Sequence, residues 1–363
     1  MKKSLLELDP QGDALLILRC PNQQRVPSAE KQEAPEDDEI ASAGTDTSAQ
    51  MQKNNPIRCP TTCDDLQSLL PYQSDGDPNE IQFRVSTRHL RMVSPVFRAM
   101  IEGKYKESQP NSQGLSEIRA SDWNAQAFMM LLDIIHGHHR DVPRRPDLEI
   151  IAHVGLLVDY YDCLEIVEIF WDLWIYFIKD WHIFSWPTFV GYSASNAKHF
   201  SNDEMLLLFI AWAFRSRTAF TGLTSWMIIN TTGLTETEWP IPSQVFVKID
   251  EKRVELIDQL FSRLYGLQED LVVGRFGCSL ECSCRLLGCL MQQMRAKDLP
   301  MTKPDKPFDG WNVPAVVEVI RSIKTPAWRV SKAVDFCKLE TQLYSSSDEL
   351  DAQVPGLRLE DFQ

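Results

Sequence analysis

The sequence predicts an α+β domain in its first half, a short mixed sheet flanked by helices, followed by a mostly α-helical C-terminal region. Three observations lead there. Ile81-Gln82-Phe83-Arg84-Val85 alternates apolar and polar residues, the period of a half-buried strand, while Ala14 to Leu18 is an unbroken apolar run of strand length. Between Ser94 and Ile178 apolar residues recur at helical spacing instead, as in Phe128, Leu131, Leu132 and Ile135. Beyond residue 203 only the helical texture continues. A chain of 363 residues suggests two domains.

Taken in order, Gly12 makes a turn into a buried strand at 13–18. Residues 22–79 then change character: Gln, Asn, Ser, Pro and acidic runs such as Glu36-Asp37-Asp38-Glu39 dominate. Such a stretch buries too little apolar surface to offset its chain entropy, so it reads as a disordered acidic insertion, with at most one helical turn at Leu66, Leu69 and Leu70. After the strand at 81–85, Ser86 or Thr87 caps a short helix carrying His89, Leu90 and Met92. Ser94-Pro95 opens the next, with Ser at the N-cap and Pro at the first position, where its missing N–H costs nothing. Val96, Phe97, Met100 and Ile101 form its buried stripe and Gly103 ends it.

Residues 115–119 read as a short strand. Asp122 or Ser121 caps a long helix that His136-Gly137 ends, and Pro143 and Pro146 mark the following loop. Helices are expected at 148–160 and 163–179, the second turning Val167, Trp171, Trp174 and Ile178 to one face. Further helices are expected at 204–214, 248–265, 279–298 and 313–324, with a loop at 231–243. The polar residues 341–363 read as a flexible tail. The expected organisation is thus a first domain at 12–180 carrying the insertion, a helical region at 181–340, and the tail.

Phe83-Arg84-Val85-Ser86-Thr87-Arg88-His89-Leu90 and Ser94-Pro95-Val96-Phe97-Arg98-Ala99-Met100 together resemble the core of the BTB/POZ family, whose first strand is similar to Gly12-Asp13-Ala14-Leu15-Leu16-Ile17-Leu18. The helix opening at Asp122-Trp123, the segment from His136-Gly137 to Val142-Pro143, and Leu157 to Cys163 resemble the variant abundant in filamentous fungi. The resemblance covers roughly 12–21 and 80–180. It implies a protein-interaction module that recruits partners or self-associates. Ser86 stands where the family usually has His, and only eleven residues precede Gly12, too few for the extra helix and strand that many members swap to dimerise.

Tyr105-Lys106-Glu107 resembles the hydrophobic-x-Glu element with which some such domains engage a cullin scaffold. The resemblance therefore implies Tyr105 and Glu107 as partner-binding residues and the chain as a substrate adaptor for a ubiquitin ligase. An exposed ring beside a carboxylate suits a small interface, since the ring supplies apolar area and the charge supplies specificity.

The remaining constellations are weaker. Cys278, Cys282, Cys284 and Cys289 are spaced C-x3-C-x-C-x4-C, without the C-x2-C knuckle of common zinc sites; packing as small hydrophobes is the preferred reading. A zinc-stabilised regulatory or transcription-associated module built on them is the alternative. His136, His138, His139 and His153 lack standard ligand spacing, with Asp141 the only near carboxylate. There is no Gly-x-Ser-x-Gly elbow, phosphate loop or His-Glu-x-x-His, so no catalytic residue, cofactor or small-molecule substrate is expected. A net charge of −14 argues against nucleic acid. Nine cysteines, an odd number, with a start whose apolar run breaks at Glu7 and Asp9, point to a reducing interior compartment, cytoplasmic or nuclear. No membrane span is expected, because the apolar run from Met205 to Phe214 is half the necessary length.

Overall fold

The computed structural model describes residues 4–24, 66–103, 111, 114–178, 202–326, 337–343 and 354–363. They form two compact units, residues 1–177 and 178–363.

The first unit is built on a four-stranded mixed sheet. Its strands are β1 (Ser4–Glu7), β2 (Ala14–Arg19), β3 (Glu80–Val85) and β4 (Ser116–Ser121), in the order β1-β3-β2-β4. β2 and β3 are antiparallel, while β1 runs parallel to β3 and β4 parallel to β2. The register aligns Leu6, Phe83, Leu16 and Ile118 in one row across all four strands. The period-two alternation of a strand puts that whole row on one face, and Phe83, Leu16 and Ile118 are fully buried there. β1 lies outside the elements expected from sequence. The chain reaches β2 through Gly12, where a Cβ would come within 2.6 Å of the Val85 carbonyl oxygen. No side chain fits between this turn and the end of β3.

Five helices complete the unit. They are α1 (Thr87–Val93), α2 (Pro95–Glu102), α3 (Ala125–His136), α4 (Leu148–Tyr161) and α5 (Leu164–Trp174), the last running into a 3-10 turn at Ile175–Phe177. Ser94 caps α2 as its sequence predicts, accepting from Phe97 N–H with Pro95 at the first position. α1 is capped differently from expectation. Neither Ser86 nor Thr87 caps it through its own side chain; Asp13, at the start of β2, accepts from Thr87 N–H (2.7 Å) and Thr87 Oγ1 (2.6 Å). Burial pushes the Asp13 carboxyl upward, but the Thr87 bonds outweigh it and leave the group below its usual range. α3 is capped by Asn124, not by Asp122 or Ser121, because Asp122 turns the chain with a left-handed φ of 72° before the helix begins. Gly137 closes α3 in the left-handed conformation that Gly adopts without strain.

The insertion is shorter than composition suggests. Asn22 donates through Nδ2 to Leu66 O (2.9 Å) and Leu69 O (3.0 Å), and accepts from Ala125 N–H (2.8 Å) at the start of α3. Leu66 is buried, and Tyr72 bridges to Pro78. Order therefore extends over 66–79. Local polarity could not report this, because the partners lie more than forty residues away. The acidic run at 36–39 lies outside the described residues.

The second unit is helical: α6 (Asn202–Ala213), α7 (Arg217–Asn230), α8 (Ser243–Val272), α9 (Leu280–Ala296), α10 (Val313–Ser322) and α11 (Leu339–Leu343). α8 is the organising element. Its 30 residues extend beyond the expected 248–265 at both ends, and it packs against α7, α9, α10 and α11. Ile257, Leu260, Phe261 and Leu264 face inward as the periodicity predicts, while Val254 is only half-buried. α7 has no counterpart in the sequence reading, because Thr221, Gly222, Thr224 and Ser225 interrupt its apolar stripe. Those residues have a structural use.

The end of the chain is docked on them. Ser225 Oγ donates to Val354 O (2.6 Å), Thr224 Oγ1 accepts from Leu357 N–H (2.8 Å), and Thr221 Oγ1 donates to Leu357 O (3.0 Å). Val354, Leu357 and Leu359 are buried, and Glu360 pairs with Arg217 at 2.7 Å. The expected flexible tail at 341–363 is thus corrected for 354–363. Three small hydroxyl residues on α7 leave room for another backbone, and they supply its hydrogen bonds. Gly356 makes the approach possible, since a Cβ there would collide with the Thr221 carbonyl, a backbone group that cannot swing aside. Gly356→Ala is expected to release residues 354–363 at a cost of about 1–3 kcal/mol. Hydrogen exchange of this segment and of α7 would rise sharply; unchanged protection would mean that the tail tolerates a side chain.

Candidate interaction site

One face of the first unit combines an open sheet edge with exposed aromatic surface. It rests on the junction of α2 and α4. Ser94, fully buried, donates through Oγ to Tyr161 O (2.5 Å) while accepting from Phe97 N–H (3.0 Å), so one hydroxyl both caps α2 and pins the end of α4. Phe97 stacks on the Tyr161 ring at 4.1 Å and 11°. Burial drives the Tyr161 phenol far above its usual range and keeps it neutral. Tyr160, next in the chain, therefore points away from this core. It is more than half exposed and meets Trp123 edge-on at 5.2 Å.

These rings border a cleft of about 540 Å³ along β4, also lined by Arg19, Glu80, Glu117 and Arg119. The charges are paired at the rim, Arg19 with Glu80 and Arg119 with Glu117, each at 3.8 Å. β4 pairs with β2 on one side only, so its other edge has no partner among the described strands. An open edge beside aromatic rings and exposed ion pairs suits an extended segment of another protein, which main-chain hydrogen bonds and apolar contact would hold. No nucleophile–base pair lines it.

Tyr105 and Glu107 lie outside the described residues. The flanks of their segment are defined: α2 ends at Gly103, and Asn111 is held by Leu115 O (2.8 Å) and Glu117 Oε1 (3.1 Å). Met100 of α2 and Glu117 of β4, which precede and follow that segment in sequence, both line the cleft.

The histidines divide by environment. His136 has both ring nitrogens engaged: Nε2 accepts from Ser86 N–H (3.1 Å), which makes Nδ1 the donor to Leu132 O (2.8 Å). Burial lowers its pKa and favours this neutral tautomer, which is unavailable to a metal. His139 meets Phe170 edge-on. His138 Nδ1 lies 3.3 Å from Asp133, whose carboxyl burial raises to about 6, with Asp141 close by. His153 is 4% exposed, and its Nδ1 has no hydrogen-bond partner among the described residues.

Of the four cysteines singled out by spacing, the structure brings Cys278 and Cys282 together and leaves Cys284 and Cys289 out. Their third neighbour is Cys337, 55 residues further on, with the three Sγ atoms within 4.8 Å of one another. Helix geometry explains the sorting. Cys284 lies about 200° around α9 from Cys282, and Cys289 shares its face but sits two turns, about 10 Å, along the axis. Spacing could not disclose Cys337, which belongs to a different segment.

Residues 77–172 match the family model of the BTB/POZ domain, a span running from the approach to β3 into α5. No curated protein and no solved structure matches the chain significantly. The first unit thus has a BTB/POZ domain with a small mixed sheet and covering helices, and the remainder is mostly helical. Among the described residues no helix is long and apolar enough to cross a membrane.

Proposed function

We propose that this chain, through the BTB/POZ domain at 77–172, is a non-catalytic recruiting protein that serves as a substrate adaptor for a cullin-type ubiquitin ligase. The observation that carries the reading is the family match itself, which identifies a protein-interaction domain. Tyr105 and Glu107 contact the scaffold: the ring gives apolar area, and the carboxylate selects a basic partner surface. The helical second region presents the substrate, and catalysis resides in the partner ligase. The compartment is the cytoplasm or nucleus, and the domain is of the type abundant in filamentous fungi.

The test is copurification of the full chain with a cullin N-terminal domain, comparing wild type with Glu107→Arg. Charge reversal at the centre of a small interface is expected to weaken binding at least about 30-fold, or about 2 kcal/mol. Wild-type protein that fails to bind would overturn the adaptor role. A second reading, self-association, is favoured by the unpartnered β4 edge. It is checked by light scattering over a concentration series, with a constant monomer mass as the outcome against it.

A further inference from the structure

We infer that Cys278, Cys282 and Cys337 form a binding site for a thiophilic divalent cation of the zinc class, bridging the start of α9 to the segment that precedes α11. Three thiol sulfurs from two distant segments lie within 4.8 Å of one another. A tetrahedral zinc with Zn–S bonds of about 2.3 Å sets its sulfurs about 3.8 Å apart, so closure needs a contraction of about 1 Å at most. Rotamer adjustment can supply that. Three thiolates at this distance repel one another strongly, and a divalent cation removes the repulsion; as three S–metal bonds form, three thiol protons pass to solvent. The fourth position is left to water or to a further donor.

The surrounding structure holds the two segments in place. Ser279 caps α9 by accepting from Cys282 N–H, which fixes Cys282 in the first turn of the helix. Cys278 immediately precedes that cap. Its loop is pulled against the helix by Ser283 Oγ, which donates to Phe276 O at 2.6 Å. Gly277 has a φ of 119° and sits directly against Ser283, so no side chain is tolerated at this turn. On the other side, Leu339 N–H donates to Thr325 Oγ1 (2.8 Å), and Glu340 accepts from Thr325 N–H (2.9 Å). The preceding residue, Lys324, exchanges two 2.8 Å hydrogen bonds with Gln293. Gln293 belongs to α9, the helix that carries Cys282. Both halves of the thiol cluster are therefore anchored to the same helix.

The experiment uses the full chain, reduced and freed of metal, titrated with Co²⁺ and then Zn²⁺. The expected result is a thiolate-to-cobalt charge-transfer band with tetrahedral visible bands, saturating at about one equivalent and bleached by zinc. Alkylation with mass mapping gives an independent reading on unmutated protein. Zinc should protect Cys278, Cys282 and Cys337 but leave Cys284, which is exposed, fully reactive. Cys337→Ser and Cys282→Ser should abolish the band, while Cys284→Ser and Cys289→Ser keep it. No charge-transfer band in folded wild-type protein would overturn the site. So would a band that survives Cys337→Ser, or a ready disulfide among the three thiols that zinc does not suppress.

Discussion

Arg253→Met is expected to destabilise the second unit by about 3–5 kcal/mol, the range for removing one member of a buried, hydrogen-bonded charge pair. Arg253 is 0% exposed and lies in the middle of α8. Its guanidinium donates to Asp250 through Nε (2.8 Å), to Trp311 O (2.9 Å) and Phe308 O (3.2 Å) through Nη1, and to Pro307 O (2.8 Å) through Nη2. Methionine fills similar volume but donates nothing, so three loop carbonyls and a carboxylate lose their donors together. Arg253→Lys should recover only part of the loss, because an ammonium cannot reproduce the planar fork. Urea unfolding read by hydrogen exchange of peptides from α8 and residues 305–312 checks both variants. A change under about 1 kcal/mol for the methionine variant would show that the loop is held by its apolar contacts, chiefly Phe308 against Phe261.

The second large effect is on pH dependence. Burial lowers the His153 pKa from 6.5 to about 4. A histidine whose folded pKa is depressed binds its proton more readily when unfolded, so stability falls as pH drops below the unfolded value. The window is 6.5 down to about 4. Between about pH 7 and pH 4.5 the first unit should lose about 2 kcal/mol through this residue. His136, lowered in the same direction, adds to the loss. Asp133 acts oppositely: its raised carboxyl binds a proton more tightly in the folded state, so its contribution grows as pH falls from about 6 toward 3.8. His153→Leu isolates the effect. The variant should be no less stable than wild type at about pH 4.5, where the buried imidazole is most costly, and should show a shallower acid slope. Hydrogen exchange of α4 peptides at the two pH values reads this directly. An identical slope in both proteins would mean that His153 titrates alike in the folded and unfolded chain, as it would with access to water.

Function follows from surfaces that these interiors hold in place. Ser94 and Phe97 seat α2 against α4, and that contact sets Tyr160 beside Trp123 on the outside. The cleft along β4 is thus a consequence of core packing.

Periodic patterns carried the elements. The alternation in Ile81–Val85 and the spacing of Phe128, Leu131, Leu132 and Ile135 are local signals, and each became the strand or helix it implies, because burying one face is what those periods achieve. Ser94-Pro95 likewise carries its own cap. The exceptions share a cause. Asp13 caps α1 from a strand 74 residues away, Asn22 orders residues 66–79 across more than forty, and Gly356 lets the chain end lie on α7. Arg253 came nearest to being readable: it occupies the stripe position between Ile249 and Ile257, where an apolar residue is expected, and a charge at such a place signals a buried partner. Cys337 carried no such sign, since its meaning depends on two thiols 55 and 59 residues earlier. Local order is encoded in neighbours a few positions apart, so the amino-acid string sufficed for most of the strand–helix succession, β1 and α7 excepted, and for the family it resembles. Hydrogen bonds, buried charges and thiol clusters join residues that only chain folding brings within a few ångströms, and those were settled by tertiary structure.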